Sequence, residues 1–149
     1  MIKLSPPLDV DAHFLAANLR TADLAECEAG GSTPLKSLRA GMTQGHYCRT
    51  ILVGIEPIGM CGCFNCEELE TSFIWFLGTD RSVEADVARH WFTLAPEVID
   101  KMRDGLRFTS CFSVATNIKH HEWLKALGYT ADYGCKPGYV VFTKEHKDV

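Results

Sequence analysis

The run Thr71-Ser-Phe-Ile-Trp-Phe-Leu77 constrains the fold more than any other part of the chain. β-Branched and aromatic side chains dominate it, so it reads as a strand. A strand with one wet face alternates polar and apolar residues, and this one stays apolar on both faces from Phe73 onward. It therefore belongs at the centre of a sheet covered on both sides. Before it, residues 47–55 and 58–64 flank Glu56-Pro57 and read as a hairpin. Strand-like runs that follow one another without a helix between them exclude a doubly wound parallel sheet.

Gly78-Thr79-Asp80-Arg81-Ser82 turns from the central run into a long helix. Its apolar stripe is Val83, Val87, Trp91, Leu94, Val98 and Met102, at spacings of three and four. Pro96 lacks an N–H and clashes one turn back, so it is expected to kink or split that helix. Residues 2–5 suggest a short first strand closed by Pro6-Pro7. A helix follows over 11–20, with Phe14, Leu15 and Leu19 on one side, and a second from Thr21 to Gly30-Gly31. Thr33-Pro34 opens a short third helix to about Ala40. Past Gly105, residues 107–115 read as a strand. Asn117 can cap a helix carrying Ile118, Leu124 and Leu127, which stops at Gly128. Residues 129–133 and 139–143 close the chain as two strands around Lys136-Pro137-Gly138. No repeat or Pro/Gly/Ser-rich linker divides the sequence. The expectation is one α+β domain over residues 1–149, a mostly antiparallel mixed sheet flanked by helices.

Composition narrows the function classes. Hydrophobic residues at 46% and charged ones at 23% are the balance of a globular protein. A formal charge of -4 argues against nucleic acid as a partner, which needs a cationic field. No run approaches the ~18 apolar residues of a membrane span, and the first residues do not read as a secretory signal. Seven cysteines, an odd number, point to free thiols in a reducing compartment.

Several groups could carry chemistry. Cys61-Gly-Cys63-Phe-Asn-Cys66, with Cys48 or His46 across the hairpin, resembles a metal knuckle, but zinc usually needs a second knuckle and buried Cys commonly serves as a small hydrophobe. No metal is therefore expected. His120-His121-Glu122 reads as a surface pair facing a partner, because adjacent helical residues point about 100° apart. Cys111 could join a remote His and Asp in a nucleophilic arrangement, yet a thiol in that strand reads as core. Glu67, Glu68 and Glu70 read as a solvated turn rather than a general base. Among Trp75, Phe76, Trp91, Phe92 and Trp123 there are more rings than one core face can take. Phe92 and one of Trp75 or Phe76 are expected to line a cleft or interface.

Asn117-Ile-Lys-His-His-Glu-Trp-Leu-Lys-Ala-Leu-Gly128-Tyr129 resembles the last helix of the GNAT N-acetyltransferases, which carry Asn there and Gly with an aromatic eleven and twelve residues later. The element order matches that fold along nearly the whole chain. Asn18-Leu-Arg-Thr-Ala-Asp23 with Glu26, and Trp75-Phe-Leu-Gly-Thr-Asp80, further resemble phage-encoded acetyltransferase-like proteins of the internal virion type. The resemblance implies that Leu77, Gly78, Thr79 and Asn117 would hold acetyl-coenzyme A, if it binds. Two departures weaken an enzymatic reading. The family's pyrophosphate pattern, Arg/Gln-x-x-Gly-x-Gly/Ala, is replaced by Gly78-Thr-Asp-Arg-Ser-Val-Glu-Ala-Asp86, rich in acids and poor in glycine. The Tyr that many members place seven residues after the Asn, as general acid, is Leu124 here.

Two expectations result. The first is a phage virion-associated or assembly protein with no cofactor, whose partners are other virion proteins (portal, tail or internal core) or further copies of itself, in the host cytoplasm during infection or in the virion. The second is an active N-acetyltransferase acting on a protein or small-molecule amine. No nucleic-acid or membrane partner is expected.

Overall fold

Thr71–Gly78 is the middle strand of a seven-stranded sheet. A computed structural model describes residues 1–147. In chain order the elements are β1 (Ile2–Ser5), α1 (Asp9–Asn18), α2 (Thr21–Ala29), α3 (Pro34–Gln44), β2 (Tyr47–Val53), β3 (Glu56–Cys66), β4 (Thr71–Gly78), a single 3-10 turn (Asp80–Val83), α4 (Ala85–Arg103), β5 (Phe108–Val114), α5 (Ile118–Ala126), β6 (Thr130–Asp132) and β7 (Tyr139–Glu145). Spatially the strands run β1-β2-β3-β4-β5-β7-β6. Among the described residues β4 and β5 pair in parallel, and the other neighbours are antiparallel.

Period-two alternation divides the apolar side chains of β3 and β4 between two cores. Cys61, Cys63 and Ile74 face α4 and α5, where they meet Val87, Trp91, Ala95, Val98, Met102 and Leu124. Met60 and Leu77 face the other way and pack with Ala12 and Leu15 of α1, Cys27 of α2 and Leu38 of α3. Burying a side chain such as Leu38 or Leu124 completely stabilises the fold by about 1.5–3 kcal/mol. The Trp75 indole fits against α3 because Gly41 on the helix and Gly62 on β3 have no Cβ, which at either position would overlap the ring.

Several local expectations need correction. The long helix is not split at Pro96, because that residue and Phe92 one turn back are both exposed, so the carbonyl left without a partner meets solvent. Val83 falls outside this helix, in the 3-10 turn. The hairpin turns at Gly54-Ile55, where Gly54 takes φ 61°, and Pro57 lies inside β3 opposite Leu52 at a register shift. The first helix starts at Asp9 because Asp11 Oδ2 accepts from Leu8 N (2.9 Å), and the same oxygen accepts from Thr50 Oγ1 (2.8 Å), fastening α1 to β2. Phe14 on this helix is 40% exposed while Ala12 and Leu15 face inward. The third helix runs on to Gln44, one turn past the expected end.

Candidate functional site

β4 and β5 pair only over Thr71–Phe73 and Phe108–Ser110. Toward their C-terminal ends each keeps its outer antiparallel neighbour, β3 or β7, and a gap opens between them. Thr79 N donates to Ile58 O on β3 (2.9 Å). By alternation the N–H and C=O of Gly78 point the other way, into the gap.

The junction of α1 and α2 fills that edge. Arg20 N donates to Gly78 O (2.9 Å), Gly78 N donates to Asp23 Oδ2 (3.0 Å), and Leu19 bridges Thr79. On the facing strand, Val114 N (2.9 Å) and Ser113 Oγ (2.6 Å) donate to Glu26 Oε1. Residues 23 and 26 are one helical turn apart and share a face, so α2 presents one carboxylate to each strand. Asn117 stands between them. Its Nδ2 donates to Asp23 Oδ1 (3.3 Å) and Glu26 Oε1 (3.1 Å), and its Oδ1 accepts from Arg20 Nη2 (3.0 Å). Arg20 also donates to both oxygens of Asp23, at 3.1 and 3.3 Å. Asn117 thus occupies the N-cap position of α5 without a side-chain cap bond, because its amide is committed to this network.

Burial pushes the Asp23 carboxyl above its ordinary range, against the opposing pull of Arg20. Burial likewise raises Glu26, which the nearby charge of Asp23 reinforces. His120 Nε2 lies 3.5 Å from Cys111 Sγ. Burial, with smaller contributions from His121 and Arg20, lowers the imidazole to about 3, and burial with Glu26 raises the thiol to about 12. The pair is thiol and neutral imidazole, not the thiolate–imidazolium of a primed nucleophile. His121 is buried, its Nε2 2.9 Å from Ser113 Oγ and its ring 5.0 Å from that of Phe142, and burial lowers its pKa. The expected surface pair of histidines is therefore an inward pair on diverging faces. A strand-to-helix contact nine residues long brings His120 to Cys111, which the sequence could not reveal.

Two cavities of about 420 Å³ each flank the gap and share Phe76 and His120. One lies between α2–α3 and the sheet, with Glu26, Phe73, Trp75 and Phe112 among its lining. The other lies between the 3-10 turn, α4 and α5, and is lined by Arg20, Trp91, Phe92, Lys119 and Trp123. Phe76, Trp91 and Trp123 cluster with ring centroids 5.8–6.5 Å apart. Phe92 and Phe76 line this second cavity, and Trp75 and Phe76 both line the first.

Leu77, Gly78, Thr79 and Asn117 are thus brought to one place, but each has an internal role. Leu77 packs in the core under α1 and α3, and Thr79 N and Oγ1 both donate to Ile58 O. A Cβ at Gly78 would meet Ser82 Oγ and the Phe76 ring. The start of α4 carries Glu84 and Asp86, and Arg81 is paired with Glu56 (2.9 Å) and approached by Glu84 (3.9 Å). These residues do not fit a pyrophosphate: the Gly78 donor is taken and the helix start is acidic, where anion sites need open N–H groups and no negative neighbours. Leu124, where a general acid would stand, is fully buried in the α4–α5 core. Tyr129 is also buried, its hydroxyl 2.6 Å from Thr109 Oγ1 and its pKa raised by burial to about 12.

Of the remaining candidates, Cys61 and Cys63 lie in the α4-side core and Cys48 in the opposite one. His46 instead pairs with Asp104 at 3.3 Å. Among the described residues no three His, Cys, Asp or Glu side chains are grouped to hold a metal. Glu67, Glu68 and Glu70 are exposed in the β3–β4 turn. Sequence reasoning placed Gly78 and Asn117 at this site but gave no role to Arg20, Asp23 and Glu26, although the spacing Arg20-x-x-Asp23-x-x-Glu26 carried the signal of three charged groups at one-turn intervals along the start of α2.

No family model and no curated protein matches the sequence. Solved structures do match over nearly the whole chain. The GNAT domain of S. lividans PAT superposes with a TM-score of 0.71 at 15% identity, covering 97% of this chain and 90% of that one. An acetyltransferase from Thermus thermophilus gives 0.67 at 16%, covering 98% and 97%. The ribosomal-protein-S18-alanine N-acetyltransferase from Escherichia coli gives 0.69 at 10%, covering 97% and 94%. The seven-stranded mixed sheet, its splayed central pair and its five flanking helices are those of the GNAT acyl-CoA N-acyltransferase fold.

Proposed function

We propose that this chain uses the GNAT fold for binding rather than for acetyl transfer, as a phage virion-associated or assembly protein. One observation carries the first half of this reading: the Asp23 carboxylate on Gly78 N–H, 3.0 Å away. It occupies a strand-edge donor that an acyl-coenzyme A lying in the gap would need, and the acidic start of α4 opposes a pyrophosphate. The phage half rests on the resemblance of Asn18–Asp23, Trp75–Asp80 and Asn117–Tyr129 to internal virion proteins. Its partners are then portal, tail or internal core proteins, met in the host cytoplasm or the virion.

Acetyl transfer to an amine is the second reading. The cavity between α4 and α5 is the observation on its side: it is open beside the gap and its lining carries Arg20 and Lys119 together with Glu122. Calorimetric titration with acetyl-coenzyme A, with desulfo-coenzyme A as the thiol-free control, separates the two. The binding reading expects no heat at millimolar ligand from folded protein. A 1:1 complex of micromolar affinity overturns it and turns the search to acceptors.

A further inference from the structure

The cavity between α2–α3 and the sheet adjoins the clamp and shares Glu26 and Asn117 with it, and its lining has a definite chemical character. Its floor is aromatic: Phe64 and Phe73 are direct cross-strand neighbours on β3 and β4, Trp75 follows on β4, and Phe112 projects from β5. Phe112 is 61% exposed and Phe64 38%, so two rings stand open at the rim. Glu26 lines the same space. Its three hydrogen bonds, from Ser113 Oγ, Val114 N and Asn117 Nδ2, all converge on Oε1. Oε2 receives none from the described residues.

Nor, among the described residues, is Glu26 in an ion pair. Arg20, the cation of this network, directs its donors to Asp23 and Asn117. A half-buried carboxylate with its hydrogen bonds met on one oxygen and no opposite charge is stabilised chiefly by a cation. Aromatic faces favour the same ligand, since the ring quadrupole attracts positive charge most strongly where water is excluded. The hydroxyls in the wall are already engaged: Ser110 with Thr143 (3.4 Å), Ser32 with Thr33 O (3.3 Å), and Ser37 with Cys27. Those oxygens keep lone pairs, but most of the wall is aromatic: alkyl groups on a substituted nitrogen meet the ring faces without cost, whereas an N–H turned toward a ring gives up a bond to water. Lys36 stands at the exposed rim, where solvent screens it, and it opposes a divalent cation about twice as strongly as a monovalent one. The volume, about 420 Å³, is that of a small-molecule site.

We infer that this cavity binds a small monovalent organic cation of the substituted-ammonium class, with Glu26 Oε2 as counter-ion and Phe73, Trp75 and Phe112 as the aromatic wall. This goes beyond the binding reading above and does not depend on it, because it concerns the cavity and not the closed strand edge.

The test titrates benzyltrimethylammonium into the whole chain by calorimetry, with benzyl alcohol as the neutral counterpart and benzylamine as the N–H-bearing one. Saturable 1:1 binding at least tenfold tighter than benzyl alcohol is expected. Glu26→Gln keeps an Oε1 acceptor for the three donors and removes the charge, and it should weaken binding at least tenfold with the far-UV circular dichroism unchanged. Phe112→Ala, at a position 61% exposed, should weaken it severalfold. Equal binding of the charged and neutral probes overturns the inference, as does unaltered binding by Glu26→Gln. Benzylamine binding ten times tighter than the quaternary probe overturns the substituted-ammonium assignment. The acetyl-coenzyme A titration reads the other proposal, so either can fail alone.

Discussion

The two ends of the β4–β5 pair solve the same problem with different chemistry. At the Thr71–Phe73 end each strand satisfies the other through backbone hydrogen bonds. At the Gly78 end the strands separate, and side chains from α2 take over, with Asp23 on Gly78 and Glu26 on Val114. A backbone ladder is indifferent to side-chain identity, whereas a clamp built from carboxylates can be removed by one substitution and is exposed to titration. The lesson is that the open half of this sheet is held shut by ionisable groups.

The largest break in the comparison should come from Asp23→Ala, which strips the buried Gly78 N–H and leaves Arg20 without its carboxylate. A cost of about 3–5 kcal/mol in urea unfolding is expected, as for removing one member of a buried ion pair. Native-state hydrogen exchange should then quicken at Gly78 and stay unchanged in the ladder half; uniform acceleration across both ends would deny that they are distinct. Asn117→Ala removes the bridge between the carboxylates and should cost about 2–3 kcal/mol, the penalty of leaving buried polar groups unpaired. Smaller still is Glu26→Gln, which retains the accepting oxygen and should lie within about 1 kcal/mol of the parent at neutral pH.

Titration sharpens the comparison further. Glu26 and Asp23 are raised in the fold, so the native state binds more protons than the unfolded chain between the ordinary carboxylate pKa and the raised value. Stability from these groups is fully present below the ordinary value and is lost as pH rises through the raised one. The parent should therefore lose stability relative to Glu26→Gln as pH climbs above the ordinary carboxylate value of about 4.3 and through the raised one. His120 has the opposite sense: lowered to about 3, it supports the fold above its unfolded pKa of about 6.5 and withdraws that support on acidification. A stability difference between parent and Glu26→Gln that stays flat over this range would show that Glu26 titrates normally.

The framework of this molecule was legible because its signals are local. An aromatic run apolar on both faces had to be the middle strand, and stops such as Gly30-Gly31 and Gly128 bounded their helices within a residue or two. The gap was not legible, because the bonds that tie α2 to the two strands and to α5 are long-range: Arg20 to Asn117 spans 97 residues and Glu26 to Val114 spans 88. Asn117 looked like a helix cap and His120-His121 like a surface pair, since sequence reports the local option first. The split expected as one option at Pro96 did not occur, for the reverse reason. Its local penalty is real, but the orientation of α4 turns the freed carbonyl to water.

The clamp also has a temporal meaning. Its groups come from three distant stretches, residues 19–26, 76–79 and 113–117, and they can meet only after β4, the α4 crossover and β5 have assembled. Contacts of such sequence separation carry a heavy loop-closure penalty and tend to form after the folding nucleus. Asp23 and Asn117 should therefore act as a late latch, whose loss speeds the escape from the native state and leaves the rate of reaching it nearly untouched. A carboxylate on a short second helix would in this way set the lifetime of the folded protein.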